Sequence, residues 1–406
     1  MHYFAKFGAL AASLYTLAGA AAVPVRRDGT TNASDRYIVR LKPSIDVASH
    51  IARLQDIQTS NLAKRDDNVQ FDGIAHEFDL GSFKGYSGHF DPATVAELQA
   101  QSDVQSVARE PIYYPSAKIT QGNAPKALKS LGNRDPAATT FVYDDSAGVG
   151  TWAYIIDSGI NIGHVEFGGR AYNGVVTATG ITSGFTDLGG HGTFVAGMVG
   201  AATYGSAKRT NLISVKIAQD DGGGLGGDIM AGFNWAVHDI INNGRASKAV
   251  INISYGGGPD PTFDDLITIA YNYGITVVVA AGNSNEPANG WPCSAPKAIC
   301  VGATDGRSRA PYSNYGPNVD IFADGTAVES TWKDSPTSLA TGSGTSFSSP
   351  VVAGLVVYLK ALPQNPNGLP VQQTADLIQY LATQNAIYAV GDGSPNRLAW
   401  NGGSVL

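Results

Sequence analysis

The chain has 406 residues, enough for two domains or for one large domain with an appendage. Hydrophobic residues make up 43% and charged ones 15%, which excludes bulk disorder and leaves room for a sizeable core. A net charge of -7 argues against a nucleic-acid partner, and 49 glycines point to many tight turns.

Residues 1–22 carry Lys6, an apolar run from Phe7 to Leu17 and then the small residues Ala18 to Ala22. This is the pattern of a secretory signal segment, too short for a membrane anchor. No later stretch reaches the roughly 18 uninterrupted apolar residues of a spanning helix, so a secreted, extracellular protein without membrane association is expected. The two cysteines, Cys293 and Cys300, lie close together in a turn-rich segment. An oxidising destination predicts a local disulfide between them, two free thiols being the alternative.

From Tyr37 the pattern predicts a strand (Tyr37 to Leu41), a helix (Ile45 to Leu62), two strands across Val69 to Phe90, a helix, and a strand (Val104 to Tyr114). Asp91 is the expected cap of the second helix, with Pro92 at its first position. The β-α-β-β-α-β order is the ferredoxin-like α+β arrangement, a small domain over residues 23–116. A stretch rich in Ala, Gly, Asn, Asp and Pro (Ser116 to Gly150) reads as a linker.

Beyond it, nearly continuous apolar runs alternate with helical stretches. Strands are predicted at Trp152 to Ile156, Leu212 to Ile217, Ala249 to Ile253 and Ile275 to Ala280, and helices at Gly227 to Asn242 and Phe263 to Tyr273. Strands apolar on both faces and separated by helices predict an α/β fold, a parallel sheet with helices on both faces, over 117–406. Ligands of such a sheet bind at the carboxyl ends of its strands.

Three strings then stand out: I-I-D-S-G around Asp157, G-H-G-T around His191 and G-T-S-F-S-S-P around Ser346. Asp157 follows a predicted strand, while His191 and Ser346 each precede an apolar run read as a helix, Phe194 to Gly200 and Val351 to Leu362. Carboxylate, imidazole and hydroxyl are the parts that make a serine nucleophilic at neutral pH. Singly, each string is also what an ordinary turn or loop contains, and it is the set that points to catalysis. Ser349 before Pro350 reads as a helix cap with proline at the first position, leaving Ser346 as the candidate nucleophile. Ser348 stands where a G-x-S-x-G elbow needs glycine, which disfavours a lipase-type hydrolase.

With these strings in the order Asp-His-Ser, the chain resembles the subtilases, in particular secreted fungal enzymes of the proteinase K group. The resemblance includes an inhibitor-like prodomain with the string F-K-G-Y-S-G (Phe83 to Gly88). It implies a serine endopeptidase acting on protein or peptide substrates, a monomer, whose own propeptide is intramolecular chaperone and inhibitor, with maturation near Ser116-Ala117. Asp157, His191 and Ser346 would be the triad and Asn283, in A-A-G-N, the oxyanion residue. An extended peptide would lie between the edge Gly222, Gly223, Gly224 and Leu225 and the edge Ser254, Tyr255 and Gly256. The residue before the cut would sit between Ser254 to Gly256 and Ala280, Ala281 and Gly282, walls without charge, which implies apolar or aromatic preference. No catalytic cofactor is implied. A structural calcium ion is, on the backbone oxygens of Pro296 and Ala298 and on Asp320.

The chain departs from the family at several positions. Phe347 replaces a Met, Val351 and Phe194 each replace a His, Tyr255 replaces a Leu, Gly226 a Tyr and Lys126 a Trp. N-x-S/T occurs at Asn32 and Asn252, the latter inside a predicted buried strand and so a poor acceptor. The alternative to an enzyme is a silent subtilase scaffold that only binds.

Overall fold

A computed structural model describes residues 35–65, 69–110 and 117–403 of the chain. The expected signal segment, Asn32 and the expected maturation point at Ser116 lie outside the described residues. Backbone proximity divides the chain into two units, 1–112 and 113–406. Among the described residues no helix is long and apolar enough to cross a membrane.

The first unit runs β1 (Arg36–Leu41), α1 (Val47–Leu62), β2 (Gly73–Leu80), β3 (Phe83–His89), α2 (Pro92–Ala100) and β4 (Val104–Arg109). Its antiparallel sheet has the order β2-β3-β1-β4, the ferredoxin-like arrangement predicted from element order. Val39, Leu41 and Tyr86 of the sheet pack on Ile51, Leu54, Val95 and Leu98 of the helices. Asp91 caps α2 by accepting from the amides of Ala93 and Thr94. Gly85 has to be glycine, because a Cβ there would lie 2.2 Å from the Val39 carbonyl oxygen.

The second unit begins with β5 (Lys118–Gln121), α3 (Lys126–Gly132) and β6 (Phe141–Asp144). This is where a linker was expected. The apolar residues Ala127, Leu128, Leu131 and Phe141 are buried in the main core, and their burial outweighs the turn-forming composition around them. Then follow β7 (Trp152–Asp157), β8 (Ala171–Val176), α4 (His191–Gly200), β9 (Asn211–Lys216), α5 (Gly226–Asn242), β10 (Ala249–Ile253), α6 (Pro261–Asn272), β11 (Thr276–Ala280) and β12 (Ile299–Asp305). The rest is β13 (Ser308–Arg309), β14 (Ile321–Asp324), β15 (Val328–Thr331), β16 (Leu339–Gly342), α7 (Thr345–Lys360), α8 (Val371–Leu381), β17 (Thr383–Gln384) and β18 (Arg397–Leu398).

The large sheet is parallel from β14 through β12, β11, β10, β7 and β9 to β8. Its strands alternate between two cores, as the period of a strand requires. Ala153, Ile155, Val250 and Val278 face α4 and α7. Tyr154, Ile156, Ile251, Ile253, Val277 and Val279 face α5 and α6. Helices therefore cover both faces, as expected. From β7 the chain builds outward to β8 and β9 on one side and from β10 to β14 on the other, so the switch point lies between β7 and β10. A crevice opens at the carboxyl ends of those two strands, which deliver Asp157 and Ser254.

The C-terminal segment returns to the start of this unit. Asn401 N–H donates to the Leu131 carbonyl (3.0 Å), Asn401 Nδ2 to Val142 O (2.8 Å) and Lys118 Nζ to Gly403 O (3.0 Å).

Candidate active site

Asp157 is the last residue of β7 and fully buried. His191 is the first residue of α4, entered through Gly190 at φ 83°. Its Nδ1–H donates to Asp157 Oδ1 at 2.8 Å and lies 3.0 Å from Oδ2, which leaves Nε2 as the proton acceptor of the neutral ring. The ring stands edge-on to Tyr255 (centroids 5.8 Å apart, 84°) and 5.5 Å from the ring of Phe347. Burial pulls the imidazole pKa down, but the charge of Asp157, its hydrogen bond and the charge of Asp187 outweigh that, and the pKa is raised above its ordinary 6.5.

Ser346 is the second residue of α7, not a residue ahead of it. The expected cap at Ser349-Pro350 is wrong: α7 starts at Thr345 with Gly344 as its cap, and Pro350 lies inside it. A proline in a helix interior removes the bond to the carbonyl four residues back, here that of Ser346. Ser254 Oγ supplies the missing donor at 2.9 Å. Ser349 Oγ instead donates to Asn252 Oδ1 (3.0 Å) and stands 3.0 Å from Ser254 Oγ. Asn252 is wholly buried, as the sequence led one to expect.

The Ser346 hydroxyl donates to the Ser254 carbonyl at 3.1 Å. His191 is thus flanked by Tyr255 and Phe347, the chain neighbours of both ends of that hydrogen bond. Asp157 and His191 are joined directly, and Ser346 is the residue before Phe347, whose ring faces His191, with its hydroxyl turned to the Ser254 carbonyl. Phe194 and Phe347 lie tilted against each other with centroids 4.2 Å apart, and Trp332 stands edge-on to Phe194.

Asn283 follows β11. Its Oδ1 accepts from Thr345 N (2.8 Å) and Thr345 Oγ1 (2.9 Å), so its amide nitrogen faces outward. Asn283 Nδ2 and Ser346 N both lie beside Gly344, 3.6 and 3.7 Å from where a Cβ on that glycine would be. Ser254 to Gly256, Ala280 to Gly282, Asn283 and Ser346 line one pocket of about 610 Å³. Glu286 also lines it and adds one carboxylate to a lining expected to be neutral. Gly222 to Leu225 stand apart from this pocket. Gly224 bridges to Ala218, Leu225 caps α5, and the Gly222 carbonyl accepts from Tyr255 Oη at 3.1 Å.

Four further residues were missed by the sequence reading. Asp187, buried, accepts from Ser158 Oγ (2.8 Å), Gly190 N (2.7 Å), Thr193 N (2.9 Å) and Thr193 Oγ1 (2.6 Å). Ser158 Oγ in turn accepts from Gly192 N (2.9 Å). An acidic residue just ahead of a helix start was the available signal for Asp187. Thr345 and Asn314 are the others. Asn314 clamps the turn that carries Asn283, donating to Ala281 O (3.0 Å) and accepting from Ser284 N (2.9 Å). No local pattern marks them, because their partners lie far away in the chain.

Cys293 and Cys300 form a disulfide, as expected. Cys300 N–H donates to Asp320 Oδ2 at 2.9 Å. Burial pushes the Asp320 carboxyl up to about 6, against the pull of that bond and of Arg397. Pro296 and Ala298 lie in the turn just before β12.

Comparisons with known proteins identify the family. A subtilase family model matches residues 149–401, and the Peptidase inhibitor I9 model matches residues 36–116. Alkaline protease 1 of Aspergillus clavatus is 45% identical over 377 residues, covering 90% of this chain and 91% of that protein. Alkaline protease 1 of Emericella nidulans is 40% identical over 412 residues, covering 99% of each. Among solved structures, a cold adapted subtilisin-like serine proteinase matches with a TM-score of 0.63 at 33% identity, over 69% of this chain and 99% of that one.

Proposed function

The chain belongs to the subtilase family of serine endopeptidases and carries an inhibitor propeptide, and on that premise we propose that it cuts peptide bonds through an acyl-enzyme on Ser346. Ser346 Oγ attacks the scissile carbonyl, giving its proton to His191 Nε2, which passes it to the leaving amine. Asp157 keeps the Nδ1 proton in place and stabilises the charged ring. Asn283 Nδ2 and the Ser346 N–H meet the developing oxyanion. Water then repeats the sequence on the acyl-enzyme. The hydroxyl leaves Ser254 O for His191 by rotation about its Cα–Cβ bond, a tightening common when substrate arrives.

The observation that carries this reading is the buried Asp157 carboxylate bonded to His191 Nδ1, on a ring held between Phe347, which follows Ser346, and Tyr255, which follows the Ser254 that accepts from the Ser346 hydroxyl. Ser346→Ala tests it. The purified variant should lose nearly all hydrolysis of a peptide library, and wild-type rates in it would overturn the assignment. The same variant, made in a protease-free host, should remain uncleaved near Ser116-Ala117 if maturation is self-cleavage, whereas equal processing would refute that step.

The finer readings follow from the same frame. The enzyme is a secreted monomer that needs no cofactor for catalysis, and its propeptide assists folding and holds the cleft until removed. Apolar or aromatic side chains before the cut suit the pocket walls. The residues around Asp320 fit a structural calcium ion: a carboxylate raised by burial gains from a cation, and the carbonyls of Pro296 and Ala298 are oxygen donors of the kind that ion takes. Calcium should raise the Tm of the Ser346→Ala protein and leave that of a Ser346→Ala, Asp320→Asn protein where it was. An equal rise in both would remove Asp320 from the site.

A further inference from the structure

The turn 219–225 carries three consecutive glycines, Gly222 to Gly224, and Gly222 has a φ of 90°. Several hydrogen bonds that shape it stay within the turn: Gln219 N to Gly223 O (2.7 Å), Gly222 N to Gln219 O (3.0 Å) and Gly223 N to Asp221 Oδ1 (2.9 Å). A bond of another kind reaches it from the facing edge, where the Tyr255 hydroxyl donates to the Gly222 carbonyl at 3.1 Å. The Tyr255 ring itself is seated. It packs against the buried cluster that contains Ala218 and Ile217 and stands edge-on to His191. Such a ring has little freedom of its own, so its hydroxyl is a fixed point to which the turn can be tied.

We propose that Tyr255 is a latch between the two substrate edges, holding the Gly222–Gly224 edge in its strand-accepting shape before substrate arrives. The inference rests on the proposed reading that an extended peptide lies between these edges. Glycine loses more backbone freedom on ordering than any other residue, and three in a row make an edge that is expensive to fix at the moment of binding. Fixing it beforehand moves that cost out of the binding step. The Gly222 carbonyl has two lone pairs, so the tyrosine hydroxyl and a substrate N–H share it. A substrate with a single residue before the cut reaches the pocket beside Ser346 without using this edge, whereas one with four residues there runs along it.

The test is Tyr255→Phe, which keeps the ring and removes the donor. KM should rise about fivefold for a chromogenic substrate with four residues before the cut, the worth of one neutral hydrogen bond. The increase should be smaller for an ester with one residue there, and kcat should move less than KM for the longer substrate. An equal change for both lengths overturns the proposal, and so does a fall in KM, which would make the hydroxyl a competitor of substrate. Hydrogen exchange gives a second readout: amides of Gly222 to Gly224 should exchange faster in the variant, and unchanged exchange also overturns it. The latch is tested by the ratio between substrate lengths, which is separate from loss of activity in Ser346→Ala, on which the triad stands or falls.

Discussion

His191 works between two carboxylates with different duties. Asp157 bonds to the ring, while Asp187 bonds to the amides of Gly190 and Thr193 and adds charge from beside it. Both raise the imidazole pKa against burial, so the neutral, proton-accepting form becomes the majority only at a pH above the ordinary 6.5. The acid limb of kcat/KM should therefore have its midpoint above 6.5, and a midpoint at or below that value would contradict the base assignment. Asp187→Asn removes one raising charge and should shift the midpoint downward, with a loss of stability from the freed amides of the first helical turn. An unmoved midpoint would show that Asp187 acts only as a structural anchor. At this scale the sequence was most legible where chemistry is packed into short strings, as at Asp157, His191, Ser346 and Asn283. It was least legible where a side chain works through a partner far along the chain, as Asn314 does on Ala281 and Ser284.

The elements follow their sequence patterns closely where one pattern acts alone. Ala249–Ile253 is a strand over the residues expected, since every one of its side chains is buried and nothing interrupts the run. The start of α7 was misread because two local signals agreed on the wrong place: serine before proline is an ordinary helix opening, and only Ser254, just past the end of β10, reveals that the proline lies deeper. That arrangement makes a prediction. Ser254→Ala leaves the Ser346 carbonyl without the donor that stands in for the missing N–H, at a cost of about 1–3 kcal/mol. Urea unfolding in the Ser346→Ala background, which prevents self-digestion, should show it, and an unchanged midpoint would mean that Pro350 needs no such compensation. A related constraint falls on the turn into α4. A Cβ on Gly192 would lie 2.2 Å from the Gly159 carbonyl oxygen and 3.1 Å from Asp157 Oδ1, so the glycine after His191 is what lets the helix approach β7 closely enough for the two side chains to meet. The strands β8, β12 and β14 and the segment from β5 to β6 were not foreseen, because short runs among glycines and prolines look like loops until the sheet claims them.

Across the whole molecule, the core of the second unit carries lysines that its stability has to accommodate. Lys360, at the end of α7, is fully buried, with its Nζ donating to Ala249 O (3.0 Å) and Ala246 O (3.3 Å). Burial pushes its pKa down from 10.5 to about 7; Lys208 is lowered to about 7 in the same way. Between those values the unfolded chain holds a proton that the folded chain has released, so the contribution of each group to stability rises with pH through that window. Below about 7 both states are protonated and the burial cost is felt in full. The stability of Lys360→Met relative to its parent, both carrying Ser346→Ala, should therefore fall as pH goes from 7 to 10.5. A difference independent of pH would mean that Lys360 stays charged in the fold. Finally, the segment around Asn401 and Gly403 lies against β6, α3 and Lys118, so each end of the second unit is fastened to the other. Among the described residues, freeing residues 401–403 means breaking bonds to Leu131, Val142 and Lys118. The first and last described elements of this unit are thus one structural piece, so that loosening residues 401–403 should also loosen α3 and β6.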